Sequence, residues 1–163
     1  MDLFTIEASM LTYGNRWFRG KKRIIEQWEE SHACEVHSSR GTYVVVVGQN
    51  ERSFCFIEIS KEAVTVGFLD DLIREYLTYS FRELSPGKLF LKSARHRNFE
   101  GESDKLKTAK IFYFETDGRV HIEEYDDKTQ TVESSDAESV DPAGYWEDYP
   151  EFGKYDSLIR IER

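Results

Sequence analysis

The rhythm of apolar and polar positions changes several times along the chain, and each change marks an element. Trp17, Ile24, Ile25 and Trp28 recur at the 0, 7, 8 and 11 spacing of one helical face, with Asn15 placed to cap it. Arg16, Arg19, Lys22, Arg23, Glu26, Glu29 and Glu30 then form the solvated face, and Gly20 interrupts it. The pattern predicts an N-terminal amphipathic helix lying across a sheet.

From residue 33 to 69 the texture becomes β-branched and aromatic. Strands are predicted at 34–37, 42–48, 53–59 and 63–68, separated by the turn-forming runs 38–41, 49–52 and 60–62. Connections this short favour antiparallel neighbours in a meander. The run from Val44 to Val47 is apolar on both faces, as a central strand covered on both sides would be. Residues 69–84 fit a short helix running into a strand, because Leu69, Leu72, Ile73, Tyr76 and Leu77 follow one period and Leu77, Tyr79 and Phe81 the other. Ser85, Pro86, Gly87 and Lys88 make a turn into Leu89, Phe90 and Leu91, and residues 95–108 read as a long surface loop.

The register of one hairpin, at 111–125, follows from its turn. A two-residue loop at Asp117 and Gly118 would set Phe112 opposite Glu123 and Phe114 opposite His121. A three-residue loop, Thr116, Asp117 and a left-handed Gly118, instead pairs Phe114 with Val120, Phe112 with Ile122 and Glu115 with Arg119. The second register keeps phenylalanine with aliphatics. It puts Tyr113, His121, Glu123 and Tyr125 on the other, polar face. Beyond Tyr125, Thr129, Thr131 and Val132 extend the sheet, and the Ser/Asp/Glu run that follows reads as a loop. These elements predict one domain over residues 1–163, of α+β class: an antiparallel meander sheet with the N-terminal helix packed on one face, and the acidic aromatic segment 126–163 part of the same domain.

Composition narrows the functional classes. With 39% hydrophobic and 14% aromatic residues in 163, the chain has enough apolar surface for one core, and 33% charged residues with no long apolar run argue against a membrane span. Residues 1–7 carry acid where a signal peptide carries base, so a cytoplasmic protein without membrane attachment is expected. Cys34 and Cys55, both in strand-like segments, are expected as free buried thiols. The charge of −9 is unevenly placed: residues 115–163 hold 15 acids against 5 bases, whereas residues 1–114 hold 16 against 17. An acidic C-terminal third repels nucleic acid and attracts cationic partners.

No Gly-x-Ser-x-Gly elbow and no glycine-rich phosphate loop occurs, so neither nucleophilic catalysis nor nucleotide binding is expected. His32 and Cys34 would face together on a strand, but His37 faces away and no second cluster supplies a fourth ligand, so no metal is expected. His96, or His121 with Glu123, has the residue types of an acid-base pair, yet cross-strand polar pairs on a wet face are commonly just that; an enzyme and a cofactor are not expected. The runs 16–23 and 95–97 mix cations with aromatics, which keeps open an RNA-binding or RNA-processing protein using the basic N-terminal patch. The segment from Tyr145 to Asp156, aromatics interleaved with acids, suits protein binding better.

The tail Trp146-Glu147-Asp148-Tyr149-Pro150-Glu151-Phe152-Gly153 and the hairpin Thr116-Asp117-Gly118-Arg119-Val120 give a chain that resembles the small cytosolic immunity proteins of bacterial polymorphic toxin systems. The resemblance implies an inhibitor that binds and blocks a cognate, basic toxin domain by direct protein–protein contact, offering carboxylates where the toxin expects phosphates. On that reading Asp126, Asp127, Glu133, Asp136, Glu138, Glu147, Asp148 and Glu151 steer and mimic, and Tyr145, Trp146 and Tyr149 anchor.

Overall fold

A computed structural model describes residues 10–49, 52–138 and 141–163. Residues 1–7, and the Asn50 and Glu51 part of the turn expected at 49–52, lie outside the described residues. The α+β expectation is overturned. Among the described residues the molecule is an eleven-stranded antiparallel sheet with a single nine-residue α-helix. In chain order the elements are β1 (Met10–Phe18), β2 (Arg23–Trp28), α1 (Glu30–Ser38), β3 (Tyr43–Gln49), β4 (Arg52–Ile59), β5 (Ala63–Leu69), β6 (Glu75–Ser85), β7 (Lys88–Phe99), β8 (Leu106–Phe114), β9 (Val120–Asp126), β10 (Thr131–Ala137) and β11 (Trp146–Asp148). From β3 to β10 every strand pairs with the next, and the β1–β2 hairpin joins this meander through β1 beside β3.

The N-terminal helix is a hairpin because spacing about a tight turn imitates helical spacing. Trp17 sits opposite Ile24, Arg16 opposite Ile25 and Tyr13 opposite Trp28, so the same apolar residues meet across a ladder rather than along a helix. Gly20 lies in the connecting turn, and Lys22 adopts φ 53 with its ammonium held by the Leu72 carbonyl at 3.0 Å and Asp104 at 2.8 Å. The helix falls instead where a strand was expected. In α1, Ala33, Val36 and His37 point inward at i, i+3 and i+4, while His32 and Cys34 are exposed. Gly41 N–H closes the helix on the Val36 carbonyl at 2.8 Å.

Two further segments differ from expectation. Residues 70–74 form a tight turn rather than a helix: Asp70 Oδ1 accepts from the N–H groups of Leu72 and Arg74, both at 2.9 Å, and Ile73 takes φ 58. The expected loop at 95–108 is mostly strand, since β7 runs to Phe99 and β8 begins at Leu106. Its polar residues form strand because β6 and β8 satisfy the main chain of β7 from either side.

The main core lies on one sheet face, where Val45, Ile57, Val66, Phe68 and Phe81 meet α1 and the returning C-terminal segment through Tyr155, Leu158 and Ile159. Burying each such side chain contributes roughly 1.5–3 kcal/mol. Within it Tyr43 Oη lies 2.9 Å from His37 Nδ1 and 3.2 Å from Tyr155 Oη, and burial pushes both phenols above their ordinary range. Cys55 is buried here, its thiol likewise pushed up by burial. A smaller cluster of Trp17, Val44, Val46, Phe56 and Leu69 covers the opposite face. β8 pairs with β7 only from Ser93 onward, and β11 takes up the main chain left open at Lys88, Leu89 and Phe90.

The β8–β9 hairpin adopts the three-residue register, with Phe114 opposite Val120, Phe112 opposite Ile122 and Glu115 N–H donating to the Arg119 carbonyl at 2.9 Å. Gly118 has φ 91, a conformation disfavoured for residues with a Cβ. Replacing it by alanine should cost about 1–2 kcal/mol, read as a fall in Tm of roughly 2–4 °C per kcal/mol.

Candidate functional site

The hairpin register decides what the acidic end of the sheet looks like. On the core side, the face formed by β8, β9 and β10 begins apolar at Phe114, Val120 and Ala137, passes through Phe112 and Ile122, and becomes polar at Lys110, Glu124 and Glu133. Beyond the core this polar part is an open hollow of about 630 Å³ whose lining includes Asn98, Lys110, Glu124, Asp126 and Glu133. Glu133 stands directly opposite Glu124 in the ladder, and Lys110, 3.0 Å from Glu124, offsets only part of that repulsion. Residues 120–138 carry seven acids against one lysine, so this end of the sheet holds a concentrated negative field.

The other face carries Tyr113, His121, Glu123 and Asp136. His121 Nδ1 lies 2.8 Å from Asp136 Oδ1 and Nε2 lies 3.6 Å from Glu123 Oε1. The hydrogen bond to Asp136, helped by the charges of Asp136 and Glu123, raises the imidazole pKa above its ordinary 6.5. A raised value means the link between β9 and β10 is strongest with His121 protonated: it is fully present below pH 6.5 and lost as pH rises through the raised value. Protection of the β10 amides, corrected for the intrinsic base-catalysed rate, should therefore fall as pH rises through that raised value, and His121→Asn should remove that fall.

The structure divides the expected partner-binding residues into two groups. Asp126, Asp127, Glu133, Asp136 and Glu138 lie along β9, its turn and β10. Asp126 Oδ1 accepts from Lys128 N–H at 2.9 Å and Thr129 N–H at 3.3 Å, and Asp127 accepts from Tyr125 Oη at 2.8 Å, so these two also fix the turn. Glu133 and Glu138 are exposed, and Asp136 keeps its bond to His121. The run after Val132 that reads as a loop is strand, because β9 gives it a partner.

The second group belongs to the body of the fold. Tyr145 packs tilted against Phe114 at 4.4 Å between ring centres, and Trp146, 38% exposed, meets Phe90 edge-on at 5.0 Å. Tyr149 donates its hydroxyl to the Ser60 carbonyl at 2.8 Å beneath the Arg40 guanidinium, 3.6 Å from its ring centre. Glu147 is buried against Arg160 at 2.7 Å and Arg163 at 2.6 Å. Asp148 pairs with Lys88 and Glu151 with Lys154. The assignment of Glu147 as a steering acid and Tyr149 as an anchor is corrected accordingly: one is neutralised inside the protein, and the hydroxyl and ring of the other already have partners. Sequence reasoning passed over Glu124, whose position opposite Glu133 follows only from the β9–β10 pairing.

The two basic runs converge elsewhere. Arg19, Lys22, Arg74 and Arg97 surround a hollow of about 410 Å³ walled by Trp17 and Phe99. Each cation is answered within the protein: Arg19 by Glu58 at 2.7 Å and Glu75 at 3.2 Å, Lys22 by Asp104, Arg74 by Asp70 at 2.8 Å, Arg97 by Thr78 at 2.7 Å. Among the described residues no group of three or more His, Cys, Asp or Glu is placed to hold a metal ion. There too, no helix is long and apolar enough to cross a membrane.

No protein-family model, curated protein or solved structure matches the chain. Function must therefore be read from the geometry and charge of the chain itself.

Proposed function

We propose that the protein binds and blocks a basic protein partner, in the manner of a cytoplasmic immunity protein acting on a toxin domain, and that the working surface is the acidic β9–β10 end of the sheet. The observation that carries this reading is the pair Glu124 and Glu133, both exposed and facing each other across the ladder beside Asp126, with Lys110 paired to Glu124 alone. Like charges opposed on a ladder destabilise it, so a cation arriving from a partner relieves repulsion as well as making new bonds. Asp136 on β10 and Glu138 just past it extend the field, and Tyr145 packs on Phe114, in register with Val120 and Ala137, with the partly exposed Trp146 next to it in the chain. The anchors are thus Tyr145 and Trp146, with Glu147 and Tyr149 left to hold the fold.

The alternative, RNA binding through the basic N-terminal patch, has the convergence of Arg19, Lys22, Arg74 and Arg97 in its favour. The internal carboxylates and carbonyls that hold those cations leave little net charge for a phosphate backbone, whose binding depends on cations free to displace counterions.

The immobilised protein, exposed to lysate of its own source, should retain a basic protein. The variant E133K/D136K/E138K should retain at least tenfold less. Retention of nucleic acid instead, or retention indifferent to the three reversals, would overturn the reading.

A further inference from the structure

A strand at the border of a sheet carries main-chain N–H and C=O groups that its own sheet leaves unpaired. Among the described residues β2 and β10 end the strand order. β2 is a poor template, because Glu26, within its six residues, takes φ 53 and breaks the extended run. β10 is regular. Its seven residues pair with β9 in one unbroken register from Thr131 opposite Asp126 to Ala137 opposite Val120, they include no proline or glycine, and six of the seven are exposed. Sheets commonly blunt such a border with a lysine, a proline or a bulge, and β10 has none of these.

Its only charges, Glu133 and Asp136, select what can lie beside it. Antiparallel pairing of β10 with its own copy, centred between Ser134 and Ser135, would place Glu133 opposite Asp136 twice over, like charge against like. Pairing with β2 of another copy would meet the break at Glu26. A basic extended segment meets neither obstacle, and its alternating side chains reach both faces, Glu133 and Glu124 on one, Asp136 and Glu123 on the other.

We propose that β10 is a strand-addition edge whose occupant is an extended segment of the partner carrying lysine or arginine on both faces. The inference rests on the basic-partner reading above and specifies how that partner is held. Main-chain hydrogen bonds supply affinity, and the acids supply attraction for the basic segment and repulsion of a second copy.

The probe is a synthetic nine-residue peptide, Val-Lys-Lys-Thr-Val-Lys-Lys-Thr-Val, whose paired lysines fall on both faces of an extended strand, compared with the same peptide N-methylated at every second residue, which keeps the charge and removes the donors. Titration should show the unmodified peptide binding at least tenfold tighter, with exchange slowed at alternate amides of β10 in nuclear magnetic resonance spectra. Equal, salt-sensitive affinity of the two peptides would overturn strand addition while leaving the basic-partner reading standing. Binding by neither peptide would overturn strand addition too, and the three-residue charge reversal then decides the other reading independently. Concentration-dependent self-assembly without peptide would assign the edge to a second copy and overturn the proposal.

Discussion

Replacing Glu147 by alanine should destabilise the protein by about 3–5 kcal/mol, and so lower Tm by on the order of 10 °C. The carboxylate sits on β11 with its side chain 7% exposed, and Oε1 accepts from both Arg160 and Arg163. Arg163 is the critical partner, because its side chain is only 2% exposed. Its guanidinium lies over the rings of Phe81 at 4.8 Å and Tyr79 at 5.3 Å and also donates to the carbonyls of Ser157 and Leu158. Burial already pulls the Arg163 pKa down, and the bond to Glu147 opposes that pull. Without the carboxylate a buried cation loses its counter-charge, and that loss dominates. Glu147→Gln keeps an acceptor and should lose roughly half as much. The double variant E147A/R163M should recover much of the loss, since it removes the buried cation with its partner. Thermal unfolding decides: E147A within about 1 kcal/mol of the parent would mean that the pair holds nothing together. Because the residue lies inside the fold, E147Q should leave partner retention unchanged where E133K/D136K/E138K lowers it at least tenfold.

Gly67→Ala should cost about 3 kcal/mol, at the upper end for overpacking a core. A Cβ at this position would lie 2.2 Å from Phe56 Cζ and 2.4 Å from Cε1. Phe56 cannot easily yield, for it is fully buried, stacked on Trp17 at 5.2 Å, with the Arg19 guanidinium 5.1 Å from its ring centre. Gly67 and Phe56 are direct cross-strand partners, so the bare glycine is the space the ring occupies. Shrinking the ring tests this: Phe56→Leu alone removes packing, but in the G67A background it should relieve part of the clash, giving a coupling of about 1 kcal/mol or more in a double-mutant cycle. Strictly additive effects would show that the ring and the glycine do not share one space.

What was legible in the sequence depended on whether the deciding information was local. The β8–β9 register could be derived because one turn, with Gly118 as its left-handed residue, sets which side chains oppose. The β1–β2 hairpin was misread because Trp17, Ile24, Ile25 and Trp28 satisfy a helical face and a ladder about Gly20 equally well, and only pairing with β3 separates them. β10 was invisible from 133 onward because Glu133, Ser134, Ser135 and Asp136 have no apolar alternation; β9 makes them a strand. The concentration of acids could be counted. Their division could not, since the burial of Glu147 depends on Arg160 and Arg163, and the exposure of Glu133 depends on being at the border of the sheet.

The central claim is that the β9–β10 carboxylates draw in a basic partner. Its most direct measurement is the association rate of the retained partner with the parent protein and with E133K/D136K, followed from low to physiological ionic strength. Steering predicts a parent rate at least tenfold faster at low salt, falling steeply as salt rises and converging on that of the variant. Equal rates and equal salt slopes for the two proteins would contradict it.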